Sequence, residues 1–379
     1  MMKSTDVIIV GAGIAGSSCA IELARQGHRT LLLDRQQFPR HKTCGEFMSP
    51  ETREMLERLG IHLLNQEKSP SSMDHARITM PDGGEIEAPL PGFAHGISRY
   101  ELDQLLHQQA YNAGAEIITK VNITSIRQLE NQSYEVEVKQ GDERRCYQAK
   151  AVIGAYGSKK LRGTSSEEGV RDETIYVGVK SHYKGINIPA RVELYFCNGG
   201  YVGISPIEND TVNVAALLTL DSVQGNGKSV TEILQAAAMT NSNLAARLAE
   251  GEAIQGTQVS VAPLQLSNVP EPWSDYPHIG DTVMVIPPLC GDGMSVALRS
   301  SIVCARWTDA YLKDEIDYTT WQSEYTLEAN REFAPLLRRA RMIQNLAFAK
   351  TNRFYPALAR MFPGLATYVV KATRLSEMK

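Results

Sequence analysis

Asp6-Val-Ile-Ile-Val10, followed at once by Gly11-Ala-Gly-Ile-Ala-Gly16, is the stretch that decides the fold. The run of β-branched residues reads as a buried strand, and the glycine pattern opens a helix over 17–26 that Gly27 ends. A second strand, Thr30–Leu33, then closes on Asp34, so the segment is a βαβ unit. Gly11 permits the tight turn, Gly13 lets backbone approach a pyrophosphate, and Gly16 allows the helix to lie close to the strand. Ala12, Ile14 and Ala15 complete the backbone that presents N–H donors and the positive end of the helix dipole to an anion. Asp34, 23 residues after Gly11, is placed to accept hydrogen bonds from a ribose.

Working outward, 76–88 reads as a hairpin around Pro81-Asp-Gly-Gly84, and 98–113 as a helix capped by Ser98 with Leu102, Leu105 and Leu106 on one face. Strands are expected at 116–119, 134–139 and 147–155. From 174 to 220 the pattern changes to successive strands at 175–183, 191–197, 201–206 and 212–218, which implies an antiparallel sheet. A helix over 229–249 and a strand near 257–264 are expected to lead back to the nucleotide domain, and the chain beyond 315 reads as helical, punctuated by Pro335, Pro356 and Pro363. The expected class is therefore α/β, a Rossmann-type domain with an inserted mixed or antiparallel sheet domain and a C-terminal helical segment. Its expected boundaries are 1–75 with 96–170 and 265–330 for the nucleotide domain, 76–95 with 171–264 for the substrate domain, and 331–379 for the tail.

Composition narrows the partners. The 379 residues carry a net charge of -4, which argues against a nucleic-acid binder. No apolar run approaches the roughly 18 residues of a membrane span, and the six cysteines show neither CxxC pairs nor zinc-type spacing. A cytoplasmic protein with free thiols and no metal is the expectation. The charge is unevenly spread: 331–379 holds ten Lys and Arg against two Asp and Glu, a local +8, which leaves -12 on the rest.

A second motif separates FAD from NAD. Pro277-His-Ile-Gly-Asp281 reads as a strand ending in Gly-Asp, and Ile286-Pro-Pro-Leu-Cys-Gly-Asp-Gly-Met-Ser295 as a turn opening a helix over 296–310. This resembles the distal FAD site of the p-hydroxybenzoate hydroxylase-type flavoproteins. Within them the chain resembles the geranylgeranyl reductase-like family in Gly11–Gly16, Asp34-Arg35, Lys42-Thr-Cys-Gly-Glu46, Ser98-Arg-Tyr-Glu-Leu-Asp103, Gly200-Tyr-Val-Gly-Ile-Ser-Pro206 and Pro287–Met294. The resemblance implies FAD, with Arg35 near the adenosine, Val121 giving adenine a backbone contact, and Arg99 at the diphosphate or ribityl chain. It assigns Asp281 to the ribityl chain, and Pro288, Gly291, Gly293 and Met294, with Cys44, Gly45 and Gly157, to the flavin's surroundings. A solvated Arg99 at a helix end is the alternative.

The sequence departs from the family at Gly154-Ala-Tyr-Gly157, where Tyr156 replaces an aspartate linked to NADPH interactions, so NAD(P)H as transient electron donor is in question. Thr282, Val283 and Met284 replace small residues and are expected to narrow the pocket. The stretch Tyr201–Pro206 lacks the tryptophan signature of flavin halogenases, which disfavours halogenation.

Catalytic candidates are Cys44, Glu46, Cys290 and Asp292. The thiols either join redox chemistry or line an apolar wall, and the carboxylates either move protons or stabilise turns. His41 and His278 rank below them. The leading expectation is an FAD-dependent monooxygenase acting on a hydrophobic small molecule. A double-bond reductase of the geranylgeranyl reductase type is the alternative, and a flavoprotein modifying a protein or carrier-bound substrate is a reading of another class. The basic tail, with Arg338, Arg339, Arg341, Lys350, Arg353 and Arg360 among apolar residues, either packs across the substrate domain or touches an anionic membrane surface. Oligomeric state is left open.

Overall fold

The computed structural model describes residues 3–63, 69–158, 174–225, 227, 229–349, 351–372, 374 and 375. Lys350, one of the basic tail residues, and the expected boundary at 170 lie outside the described residues. The chain begins with β1 (Lys3–Val10), α1 (Ile14–Arg25), β2 (Thr30–Leu33), β3 (Phe47–Met48), α2 (Thr52–Arg58), β4 (Ser71–Thr79) and β5 (Glu85–Gly96). It continues through α3 (Arg99–Asn112), β6 (Glu116–Ile118), β7 (Asn122–Gln128), β8 (Tyr134–Gln140) and β9 (Glu143–Gly154). Then come β10 (Tyr176–Lys184), β11 (Arg191–Cys197), β12 (Gly200–Pro206), β13 (Thr211–Thr219), α4 (Leu220–Val223), α5 (Val230–Ala238) and α6 (Ser242–Ala249). The last elements are β14 (Glu252–Ala253), β15 (Val259–Leu264), α7 (Gly293–Leu312), α8 (Tyr318–Ala347), α9 (Tyr355–Met361) and α10 (Pro363–Ala372).

Two sheets result. The first has the order β6-β2-β1-β9-β8-β7, parallel at its β6, β2, β1 and β9 members. Its central parallel strands, β1 over 7–10 and all of β2, are buried on both sides. Val7 and Ile9 pack against α1, α3, α7 and α8, while Ile8 and Val10 pack with Leu31, Leu33 and Tyr134. The second sheet runs β14-β10-β13-β12-β11-β4-β5-β3, with β15 on β10, and β4 joins β11 in parallel register from His75↔Arg191 to Thr79↔Tyr195. Period-two alternation divides its side chains between two faces. Tyr195, Val202, Ile204, Val214 and Leu218 pack with the α5 and α6 residues Ile233, Leu234 and Leu244, whereas Val192, Leu194 and Phe196 face a large cavity.

Several expectations are corrected. The helix expected over 229–249 is two helices, because Asn241 accepts from the Asn243 and Leu244 N–H groups and caps α6. The strand near 257–264 stays in the second sheet as β15, antiparallel to β10, so the chain leaves that sheet only afterwards. Pro277–Asp281 is no regular strand: His278 makes a single bridge to Gly154, and residues 280–282 form a 3-10 turn. Strand β7 was not expected, since its only apolar members are Ile123 and Ile126. Pro335 does not punctuate the tail but lies inside α8, where buried Phe333, Leu336 and Leu337 hold the helix across the lost N–H.

Candidate active site

The site is built where β1 ends. Gly11 has φ of +108° and donates its N–H to the Leu33 carbonyl at 2.7 Å, and a Cβ there would stand 2.2 Å from the Ala155 oxygen. At Gly16 a Cβ would lie 1.8 Å from the Gly11 oxygen. No other residue fits these two places. Asp34 is buried, and its carboxylate clamps the turn by accepting from the Ala12 N–H and the Gln36 N–H, both at 2.7 Å. Val121, at the start of the unexpected hairpin, donates its N–H to the Asp34 carbonyl at 3.1 Å, and Arg35 lies exposed at the cavity edge.

Helix α3 delivers the cation. Ser98 caps it by accepting from the Glu101 N–H. Arg99 is 5% exposed and grips the fully buried Asp103 bidentately at 2.8 and 2.9 Å, which rules out a solvated arginine. Its Nη2 is 3.6 Å from where a Gly13 Cβ would be, so it faces the turn of the glycine motif.

On the far side, Thr282 Oγ1 accepts from the Gly157 N–H at 2.9 Å, and Asp281 is 3.5 Å from Lys42. Val283 and Met284 are buried in the core beside α7 and do not narrow the cavity. Gly291, at φ of +76°, turns the chain beneath Phe47 into α7. Burial pushes the Asp292 carboxyl up to about 8 against the attraction of Arg374, whose Nη1 is 2.9 Å away and also donates to the Cys290 carbonyl. Cys290 is raised by burial and stays a thiol, and both it and Cys44 line the cavity. His278 is held neutral by burial, down at about 4, and its ring contacts are structural, to the Glu271 carbonyl and the Tyr156 hydroxyl.

Glu46 is no free acid. It is fully buried with φ of +52°, accepts from the Arg99 N–H at 2.8 Å and pairs with Lys180 and His182. Burial pushes its carboxyl up, but the His182 hydrogen bond and the Lys180 charge prevail and hold it below the usual range. Lys180, His182 and Arg374 were not singled out from sequence, and Asp103 was named only as the end of the motif that starts at Ser98. The signal was a lysine directly after the apolar run Tyr176–Val179, since a lysine in a buried strand needs a partner.

While Asp103, Lys180, His182 and Asp292 are buried outside its lining, Gly13, Asp34, Glu46, Arg99, Asp281 and Gly291 border one cavity of about 1480 Å³. That exceeds the ~300–1,000 Å³ of an ordinary ligand site and leaves space for a second molecule beside a dinucleotide. Gly45, Gly157 and Gly293 have no atom within 4 Å of a would-be Cβ, so their backbones face open space. Neither Gly13 before α1 nor Asp292 before α7 gives its helix a side-chain cap, which leaves first-turn N–H groups free for an anion. The donor set fits FAD. Beyond it the cavity turns apolar, between Ile78, Leu194, Phe196 and Leu217 of the second sheet and Leu346, Leu358, Ala366 and Val369 of the last three helices.

A parallel sheet with this glycine turn and these two helix starts has the parts of an FAD-binding site. The model of the FAD binding domain family matches residues 4–308, and the chain belongs to that family. It is 28% identical to the menaquinone reductase of Mycobacterium tuberculosis over 228 residues, 56% of this chain and 54% of that protein, so the match spans about half of that relative. It is 24% identical to digeranylgeranylglycerophospholipid reductase 3 of Methanosphaera stadtmanae over 335 residues, 84% of this chain and 80% of that one. A flavin-dependent brominase of solved structure shares the fold, with TM-score 0.80 and 19% identity over 98% of this chain and 93% of that one. Among the described residues no helix is long and apolar enough to cross a membrane, and no cluster of three metal-ligating side chains occurs.

Proposed function

We propose that the chain is an FAD-dependent reductase that saturates a double bond, or reduces a quinone, of an isoprenoid-type apolar molecule. The observation that carries this is the apolar arm of the cavity, walled by one face of the second sheet and by α8, α9 and α10, a shape for a chain-like molecule rather than a small polar ring. The names of the reductase relatives point the same way.

In this reading Gly11–Gly16, Asp34, Arg35 and Val121 hold the adenosine half of FAD. Arg99, Gly157 and Asp281 hold the diphosphate and ribityl chain, and Cys44, Gly45, Pro288, Gly291, Gly293 and Met294 surround the ring system. FAD bound there, reduced by NAD(P)H, would supply the hydride. The chain's own work is to neutralise the diphosphate with Arg99, to place N–H groups of α7 beside the ring, and to exclude water with the apolar wall. Cys44 and Cys290 serve as small apolar wall residues. The nucleotide and substrate units are taken as 1–75, 96–170 and 265–330 against 76–95 and 171–264, with the tail as the lid of the second. Exposed Phe354, Met361, Phe362 and Tyr368, beside Arg353, Arg360 and Lys371, suit contact with an anionic lipid surface.

Anaerobic reduction of the holoprotein by NADPH and NADH, followed by addition of a prenylated quinone or a geranylgeranyl lipid, tests the reading. Reoxidation of the flavin with a saturated or quinol product is expected without O2. Product formed only with O2, carrying oxygen from it, overturns the reductase and favours the monooxygenase.

A further inference from the structure

Glu46, Lys180 and His182 form a closed ionisable cluster that FAD binding does not explain. Gly178 lines the cavity, and Lys180 and His182, two and four residues further along β10, share its face. Lys180 Nζ lies 2.6 Å from Glu46 Oε1 and 2.7 Å from His182 Nε2, and the same Nε2 lies 2.6 Å from Glu46 Oε2. One ring nitrogen thus meets two opposed demands. Bare, it accepts from the Lys180 ammonium but turns a lone pair on the carboxylate; protonated, it donates to Glu46 but abuts a cation. Each protonation state satisfies one neighbour and offends the other, so a modest change in local charge decides between them.

His41 links the cluster to the cavity. His41 lines the cavity and meets His182 edge-on, ring centroids 5.1 Å apart, and its buried Nδ1 has no hydrogen-bond partner. Beside His182 are the Thr257 hydroxyl, which accepts from its backbone N–H, and Asn213, its buried cross-strand partner on β13, while Tyr100 lies tilted against His41.

We propose that Glu46, Lys180 and His182 are a buried proton store, in which His182 takes up one proton when the site gains negative charge on flavin reduction and returns it to the substrate through His41. The return step rests on the reductase reading; the uptake does not. The balance closes: NAD(P)H gives a hydride and water gives the proton held on His182. The substrate's double bond or quinone gains both, NAD(P)+ leaves, and the cluster and FAD regain their starting states.

The test is proton uptake on anaerobic photoreduction of the holoprotein, without substrate, in weakly buffered solution with a pH-indicator dye near neutral pH. Wild type is expected to take up one proton more per FAD than H182Q or K180M. H41Q should keep that stoichiometry but take the proton up more slowly, by roughly tenfold or more. Equal uptake in wild type and H182Q, each with FAD content confirmed by absorbance, overturns the store. If both variants lose FAD, wild type is compared with free FAD, and equal uptake there overturns it too. Extra uptake in a protein that reduces no apolar substrate leaves the store standing and removes the reductase.

Discussion

Arg374 reaches back from the last described residues of the chain to within 2.9 Å of Asp292, the residue that starts α7. The pair joins the tail to the turn that we assign to the flavin. Asp292 Oδ2 and Arg374 Nε are both buried without a hydrogen-bond partner, so the contact is single-stranded rather than a full fork. Burial outweighs the attraction and the carboxyl titrates at about 8. An unfolded aspartate titrates near ~3.9. Between those values the folded chain holds a proton that the unfolded chain has released, so Asp292 costs stability as pH rises through the window and the cost levels off above about 8. D292N should flatten this fall and melt no lower than wild type at the alkaline end. A pH series of melting curves decides, and a D292N protein that melts lower there contradicts the assignment.

The pair Arg99–Asp103 behaves in the opposite sense. Both side chains are buried and the fork is complete, so D103A leaves an unpaired guanidinium in the core. Breaking a buried pair from one side costs about 3–5 kcal/mol. Urea unfolding of the flavin-free protein should show a loss of that order, and FAD should be released more readily. A D103A protein as stable as wild type would mean that the pair is solvated.

The glycine turn, Asp34, the capped helix at Ser98 and the second sheet were legible because each obeys a local rule: a positive φ, a close approach, a cap, a period of two. Strand β7 was not, since an edge strand with one face in water carries little apolar pattern. The single helix expected over 229–249 failed at Asn241, whose cap is visible only once its side chain is seen on the Asn243 and Leu244 N–H groups. Glu46 shows the limit most clearly. Its neighbours in sequence left it either a proton-moving acid or a turn stabiliser, while the residues that fix its charge, Lys180 and His182, are 134 and 136 positions away. The aliphatic strands of the second sheet read alike from sequence, and only the placement of α5 and α6 on one face shows which residues are left to face the cavity.

Asp281 and Asp34 predict a difference in flavin retention. Asp34 clamps the Ala12 N–H from a buried position, so D34A should disturb the turn itself and lower both melting temperature and FAD content. Asp281 is more than a third exposed and pairs with Lys42 only at the long distance of 3.5 Å, so D281A should leave the flavin-free protein unchanged in stability while weakening FAD. Melting curves without FAD, beside fluorescence titration with it, separate the two. Full FAD affinity in D281A removes that residue from the site.

Helices α9 and α10 lie against β5, and a Cβ at Gly84, in the turn before β5, would meet Pro356 at 2.7 Å. Leu365, Ala366 and Val369 line the apolar arm, yet Phe362 and Tyr368 of the same segment are 56% and 70% exposed. A segment apolar on both sides closes the cavity with one side and leaves the other for a surface. Ala366→Trp fills the arm from the lid, so it should shorten the longest prenyl chain accepted while leaving FAD content and reduction by NAD(P)H unchanged. Tyr368→Glu and Phe362→Glu alter only the outer side, so they should reduce flotation with anionic liposomes without changing turnover of a detergent-dispersed substrate. Equal chain-length preference in A366W would place the substrate elsewhere. Undiminished flotation of the glutamate variants would leave the outer side without a role at the lipid surface, while the lid could still be judged by its inner one.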